Sequence, residues 1–153
     1  MADAVNVIKQ DHQSVGQLFE EYHQAQDSAT KGELVRQMTQ GLGTHADMEE
    51  QILYPRMGEA LGKEMVDQNL EEHNTLRQLL GELSAMTPDQ SGFDATVEQL
   101  ISAVLEHVQL EEEDELPRLQ QELTLLVQGN ASPSEFTSTM DSTIAQNAPK
   151  FFK

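Results

Sequence analysis

"THADMEEQILYP", residues 44–55, and "EHVQLEEEDELP", residues 106–117, carry the same three residue types at the same offsets. His45, Glu49 and Pro55 in the first match His107, Glu111 and Pro117 in the second. The repeat extends beyond the two quotations. "DH" at 11–12 matches "EH" at 72–73, and Val15, Leu18 and Phe19 match Leu76, Leu79 and Leu80. The offset is 61 between His12 and His73 and 62 between His45 and His107. Two copies of one helical hairpin, each bearing a His and then a His-x-x-x-Glu, account for this pattern.

Working outward, the chain divides into helices separated by short breaks. Asp3 caps a first helix to about Tyr22, with Val5, Ile8, Val15, Phe19 and Tyr22 on one face. Thr30 with Glu33 forms a capping box for a second helix that runs to Tyr54, before Pro55. Gly62 interrupts, and a third helix follows over roughly 63–86. "TPDQSG" is a loop; Ser91 and Asp94 offer the fourth start, and that helix reaches about Val127 with Pro117 as kink or terminus. Ser132 and Pro133 then open a short fifth helix with Phe136, Met140 and Ile144 on one side. Nothing alternates with period two. The expected fold is all-α: an antiparallel up-down four-helix bundle over 1–127, with a short C-terminal helical extension over 128–153 that packs on the bundle or on a second subunit.

The inward stripes decide the chemistry. They run 8, 12, 15, 19, 22 in the first helix and 38, 42, 45, 49, 52 in the second; the third reads 69, 73, 76, 80, 83 and the fourth 97, 100, 104, 107, 111. Apart from Asn69, each is otherwise apolar and so faces the core. His12, His45, His73 and His107 therefore point inward, one per helix, with Glu49 and Glu111. A single buried His is ordinarily a hydrogen-bonded core residue. Buried carboxylates are costlier, and no Lys or Arg on these stripes pairs with them. Residues four apart on a helix share a face, so each His-x-x-x-Glu presents a nitrogen and a carboxylate to one ion. Six such groups in one core point to a metal centre. Histidine and carboxylate without thiolate suit iron, manganese or zinc, and two carboxylates on different helices leave two histidines for each of two ions.

Composition narrows the rest. Nine basic and 27 acidic residues give a net charge of −18, a surface that repels phosphate and disfavours nucleic acid. There is no cysteine, which excludes disulfides, thiolate nucleophiles, iron–sulfur clusters and Cys-based zinc sites. No apolar run is long enough to span a membrane, and the N-terminus lacks a basic start and an apolar stretch, so a cytoplasmic location is expected.

"DH" at 11–12, "HADMEEQILYP" at 45–55, "EEH" at 71–73 and "HVQLEEEDELP" at 107–117 together resemble the hemerythrin-like, or HHE cation-binding, family over about 1–127. The resemblance implies a non-haem di-iron centre bridged by oxide or hydroxide. It implies His12, His45, His73 and His107 as terminal ligands, with Glu49 and Glu111 as bridging carboxylates. Oxygen-carrying hemerythrins have His-x-x-x-His on the third helix, where this chain has His73 followed by Arg77. They also have an Asp at i+5 on the fourth helix where this chain has Glu111 at i+4. The missing histidine implies a position near His73 that is open, or filled by water or another side chain; an open site favours chemistry on a small oxidant over reversible O₂ carriage.

The remaining candidates each have a plainer alternative. Arg77 either hydrogen-bonds a ligand at that position or is a solvated helix-edge residue. Tyr54, where many relatives carry Phe, either packs in the interior or brings its hydroxyl to the centre. Asn69 is an expected hydrogen-bond partner one turn before His73. His23 lies too far along the first helix to share the site. Glu50, Glu72 and the acids of 112–115 belong to a solvated face. The expected function is decomposition of hydrogen peroxide or reaction with nitric oxide, in a monomer or weak homodimer. The alternative is binding, sensing or storage of O₂, NO or iron without turnover.

Overall fold

The computed structural model describes residues 2–128. The extension expected over 128–153, with its helix from Ser132, lies outside them apart from Gln128. The elements are α1 (Ala2–Gln24), α2 (Ser28–Met48), a π-helical turn (Glu49–Leu53), α3 (Tyr54–Leu61), α4 (Lys63–Ser84), α5 (Phe93–Leu110), a second π-helical turn (Glu111–Glu115) and α6 (Leu116–Gln128). Each π turn joins its flanking helices end to end, so the six helices form four rods, and the fold is the expected all-α bundle. Pairs such as His12–Glu112 and His23–Glu98, or His73–His107 and Asn69–Glu115, run in opposite chain directions, which makes neighbouring rods antiparallel. No helix among the described residues is long and apolar enough to cross a membrane.

Three boundaries differ from the sequence reading. The first helix already includes Asp3, so its start lies at Ala2. The second is capped by Asp27, whose carboxylate accepts from Thr30 N at 2.8 Å and from Thr30 Oγ1 at 2.7 Å, while Glu33 pairs with Arg36 instead of closing a box. A carboxylate is a stronger cap than the threonine hydroxyl it binds, and Asp27 stands three residues earlier. The third difference matters most. Neither proline ends its helix. Tyr54 N–H bonds the Glu49 carbonyl and Leu116 N–H bonds the Glu111 carbonyl, five residues back in each case. The widened turn restarts the helix, so Pro55 falls in the first turn of α3, where its missing N–H leaves nothing unpaired.

The core has two apolar clusters. One gathers Val15, Phe19, Met38, Leu80, Val97 and Leu100 with their neighbours; the other gathers Ile8, Leu53, Met57, Leu116 and Leu119. Each fully buried aliphatic side chain contributes about 1.5–3 kcal/mol, so the two clusters can support a polar layer between them. That layer holds the four histidines. The connections are short: Gly62 alone links α3 to α4 at φ +107°, a conformation that side chains with a Cβ rarely adopt.

Candidate metal centre

All six predicted ligands converge, and all are buried. His12 comes from α1 and His73 from α4; His45 and Glu49 come from the α2 end and its π turn, His107 and Glu111 from the α5 end and its π turn. His45 Nε2 lies 2.8 Å from Glu49 Oε1, and His73 Nε2 lies 3.1 Å from Glu49 Oε2. His12 and His45 bring their Nε2 atoms to 3.2 Å from each other, as do His73 and His107. Two donors about 2.0–2.1 Å from one ion, at right to tetrahedral angles, stand about 2.8–3.4 Å apart. Both histidine pairs have that spacing. Two three-residue clusters result, His12–His45–Glu49 and Glu49–His73–His107, each with ligand atoms within 4.8 Å of one another. Glu49 belongs to both. Glu111 adjoins the first through Oε2, 3.4 Å from His12 Nε2. Glu49 Oε1 and both oxygens of Glu111 are buried and accept no hydrogen bond. Leaving buried carboxylate oxygens without a partner is costly, and a cation removes the cost.

Behind these six side chains stands a shell of four acids, three of which, Glu50, Glu72 and Glu112, the sequence places on a solvated face. His12 donates Nδ1–H to Glu112 at 2.8 Å, His45 to Asp11 at 3.1 Å, His73 to Glu50 at 2.8 Å and His107 to Glu72 at 2.7 Å. Every Nε2 thereby faces inward, the arrangement that orients histidine ligands and raises their basicity. The signal for these four acids was adjacency. Asp11 and Glu72 precede a ligand histidine, and Glu50 and Glu112 follow a ligand glutamate, in both copies of the repeat.

A family model described as the hemerythrin HHE cation-binding domain matches residues 3–119. The chain belongs to that family. It is also 34% identical over 107 residues to a DNA nickase of Nostoc, covering 70% of this chain and 30% of that protein. A hemerythrin-like protein of Schizosaccharomyces pombe is 26% identical over 122 residues, 78% of this chain and 60% of its own length. The chain thus spans less than two thirds of the length of either relative. No solved structure matches it.

The lesser candidates of this HHE domain separate. Tyr54 is buried, with its hydroxyl 2.9 Å from His73 Nε2 and 3.4 Å from Glu49 Oε2. Arg77 stands outside the ligand layer: its guanidinium donates to Glu50 Oε1 at 2.6 Å and Asp47 Oδ1 at 2.9 Å. Asn69 touches no ligand; its amide donates to Glu115 Oε2 at 2.7 Å. Glu115, expected on the solvated face, is buried. It lies four residues beyond Glu111, on the same side of the rod. His23 pairs with Glu98 on the surface, as expected.

Burial opposes charge on His45 and His107, yet Glu49, Glu111 and the outer acids Asp11 and Glu72 outweigh it. His45 is raised from 6.5 to about 10 and His107 to about 11. Burial likewise opposes ionisation of Glu49, and His45, His107 and His73 overcome it, holding that carboxyl well below its usual range. The metal-free HHE domain therefore balances its carboxylates with imidazolium protons. Burial, with Glu49, Glu111 and Glu115 nearby, pushes the Tyr54 hydroxyl up and keeps it protonated. Burial and Glu111 raise Glu115 to about 7 against the lowering bond from Asn69.

Proposed function

We propose that the domain holds two non-haem iron ions with an oxo or hydroxo bridge, and that it decomposes hydrogen peroxide or reacts with nitric oxide at that centre. The observation that carries the metal reading is the set of buried, unbonded carboxylate oxygens on Glu49 and Glu111 amid four inward Nε2 atoms. His12 and His45 would hold one ion and His73 and His107 the other, with Glu49 and Glu111 between them. Bound iron would supply Lewis acidity and a change of oxidation state to a small oxidant.

The residues around the site set what can react. A cavity of about 20 Å³ lies against the four histidines, walled by Val15, Leu42, Leu76 and Val104. One water needs about 10–15 Å³ by this measure, so the space suits a molecule of one or two non-hydrogen atoms. Hydrogen peroxide, NO and O₂ meet that limit. Tyr54 brings its hydroxyl to 2.9 Å from His73 Nε2, in the half where Arg77 replaces the oxygen carriers' additional histidine. With His73 Nε2 engaged by metal, its protonated hydroxyl is free to donate a hydrogen bond to a ligand there, which supports turnover over simple carriage. The same cavity would also serve a protein that binds O₂ or NO without turnover. Nicking of DNA is not carried over from the Nostoc relative, since this chain covers 30% of that protein and its charge of −18 repels phosphate.

The test is iron-loaded protein mixed with peroxide while O₂ and the optical spectrum are followed. Release of one O₂ for every two peroxides consumed, without haem or an added donor, is the expected result. A protein that binds O₂ reversibly and ignores both peroxide and NO would support the binding reading.

A further inference from the structure

The repeat lets each outer residue be compared with its counterpart 61 or 62 positions away, and one difference falls on a ligand's support. His12 and His73 are counterparts, and each donates Nδ1–H to the acid that follows the opposite copy's ligand glutamate: Glu112 for His12, Glu50 for His73. Among the described residues, no Lys or Arg pairs with Glu112. Glu50 is different. Its Oε1, which accepts from His73 at 2.8 Å, also accepts from Arg77 Nη1 at 2.6 Å. The counterpart of Arg77 in the first copy is Gly16, which has no side chain to do this.

We propose that Arg77 makes the two metal positions unequal: by drawing on the carboxylate that supports His73, it leaves His73 a weaker donor than its counterpart His12. The inference rests on the dinuclear reading of the centre. A carboxylate that accepts the Nδ1 proton pushes electron density toward Nε2 and strengthens it as a ligand. A charge-assisted bond from arginine to the same oxygen competes for that density, and the guanidinium stays charged at any accessible pH. Arg77 is 38% exposed and Glu50 25%, so water screens part of the effect and its size is modest. The ion held by His73, His107 and Glu49 is therefore the more weakly bound and the more electron-poor. Tyr54 contacts His73 in this same half, so the ion beside that buried hydroxyl is also the stronger Lewis acid.

The test is anaerobic titration of the metal-free full chain with cobalt(II), read by calorimetry and by paramagnetically shifted Nδ1–H signals of the four histidines. Wild type is expected to fill in two steps, His12 and His45 responding first, His73 and His107 second. Arg77→Leu should tighten the second step about three- to tenfold, less than the 10–100-fold effects of directly bonded partners. Gly16→Arg should loosen the first step by a similar factor; a Cβ at position 16 meets nothing within 4 Å, so the side chain can be added. If Arg77→Leu loosens the second step or leaves it unchanged, Arg77 is only a clamp for Glu50 and the proposal fails. Should that variant not fold, Gly16→Arg decides alone, since it keeps Arg77; an unchanged first step overturns the proposal. Filling of the His73 pair first in wild type would also overturn it. A wild type that takes up fewer than two ions would instead sink the dinuclear reading.

Discussion

The two copies of the hairpin agree in their histidines and in the carboxylate behind each, and differ in other side chains around them. His12 corresponds to His73 and His45 to His107, down to the carboxylate behind each histidine, whereas Glu49 belongs to both clusters and its counterpart Glu111 adjoins one. Around them Tyr54 corresponds to Leu116, Arg77 to Gly16, and the buried pair Asn69 and Glu115 to Ile8 and Leu53. The duplicated part is what binding of two like ions would require. The differing part gives only the second half a hydroxyl, a cation and an extra carboxyl. A repeat built for binding has thus acquired a chemically distinct side.

The largest effect should come from the one residue both clusters share. Glu49→Ala removes a ligand atom from each triplet, so both ions should be lost, whereas His12→Ala should cost mainly its own position and His23→Ala neither. Metal analysis of the purified variants checks this, and the melting temperature of Glu49→Ala should match that of the metal-free wild type.

Next in size is the proton balance of the empty centre. His45 and His107 are raised to about 10 and about 11 from 6.5, so their stabilising charge is fully present below about pH 6.5. It is lost as pH rises through their folded values. The metal-free protein should therefore weaken by a few kcal/mol between about pH 6.5 and 10, with denaturant melts as the readout. Metal must displace the same protons, so calorimetry in buffers of different ionisation heat at pH 7 should show about two protons released per chain on loading. Loading without proton release would mean these histidines are already neutral.

Glu115 acts in a narrower window. Its folded value of about 7 lies above the ordinary 4.5, so it costs stability increasingly as pH rises from 4.5 to 7. Glu115→Gln should remove that decline and stabilise the metal-free protein by about 1–3 kcal/mol at pH 8. An equal pH profile in the variant would place the carboxyl in water.

The smallest effect concerns Tyr54. Tyr54→Phe should keep the iron and the melting temperature while slowing peroxide or NO turnover about tenfold to a hundredfold, within the range of a positioned proton donor. Unchanged turnover would return Tyr54 to the plain packing role of its counterpart Leu116.

The bundle and its six inward histidines and glutamates were legible because helical periodicity and burial cost speak through the sequence: a histidine or glutamate in an otherwise apolar stripe is conspicuous. The outer carboxylates were not, because Glu50, Glu72 and Glu112 carry the polar pattern of a solvated face and are in fact partly exposed. Glu115 and Leu53 were hidden for another reason. A stripe of constant 3.6-residue period breaks at a π turn, which adds one residue and rotates the next helical segment by about a quarter turn. The six-residue interval from Glu to Pro, identical in both copies, was the visible trace of that turn.

Mössbauer spectroscopy of protein loaded anaerobically with ⁵⁷Fe(II), then oxidised, tests the central claim most directly. The expected result is two irons per chain, antiferromagnetically coupled through a bridge after oxidation, and resolved into two unequal ferrous sites before it. One iron per chain, or two that remain magnetically independent, would contradict it.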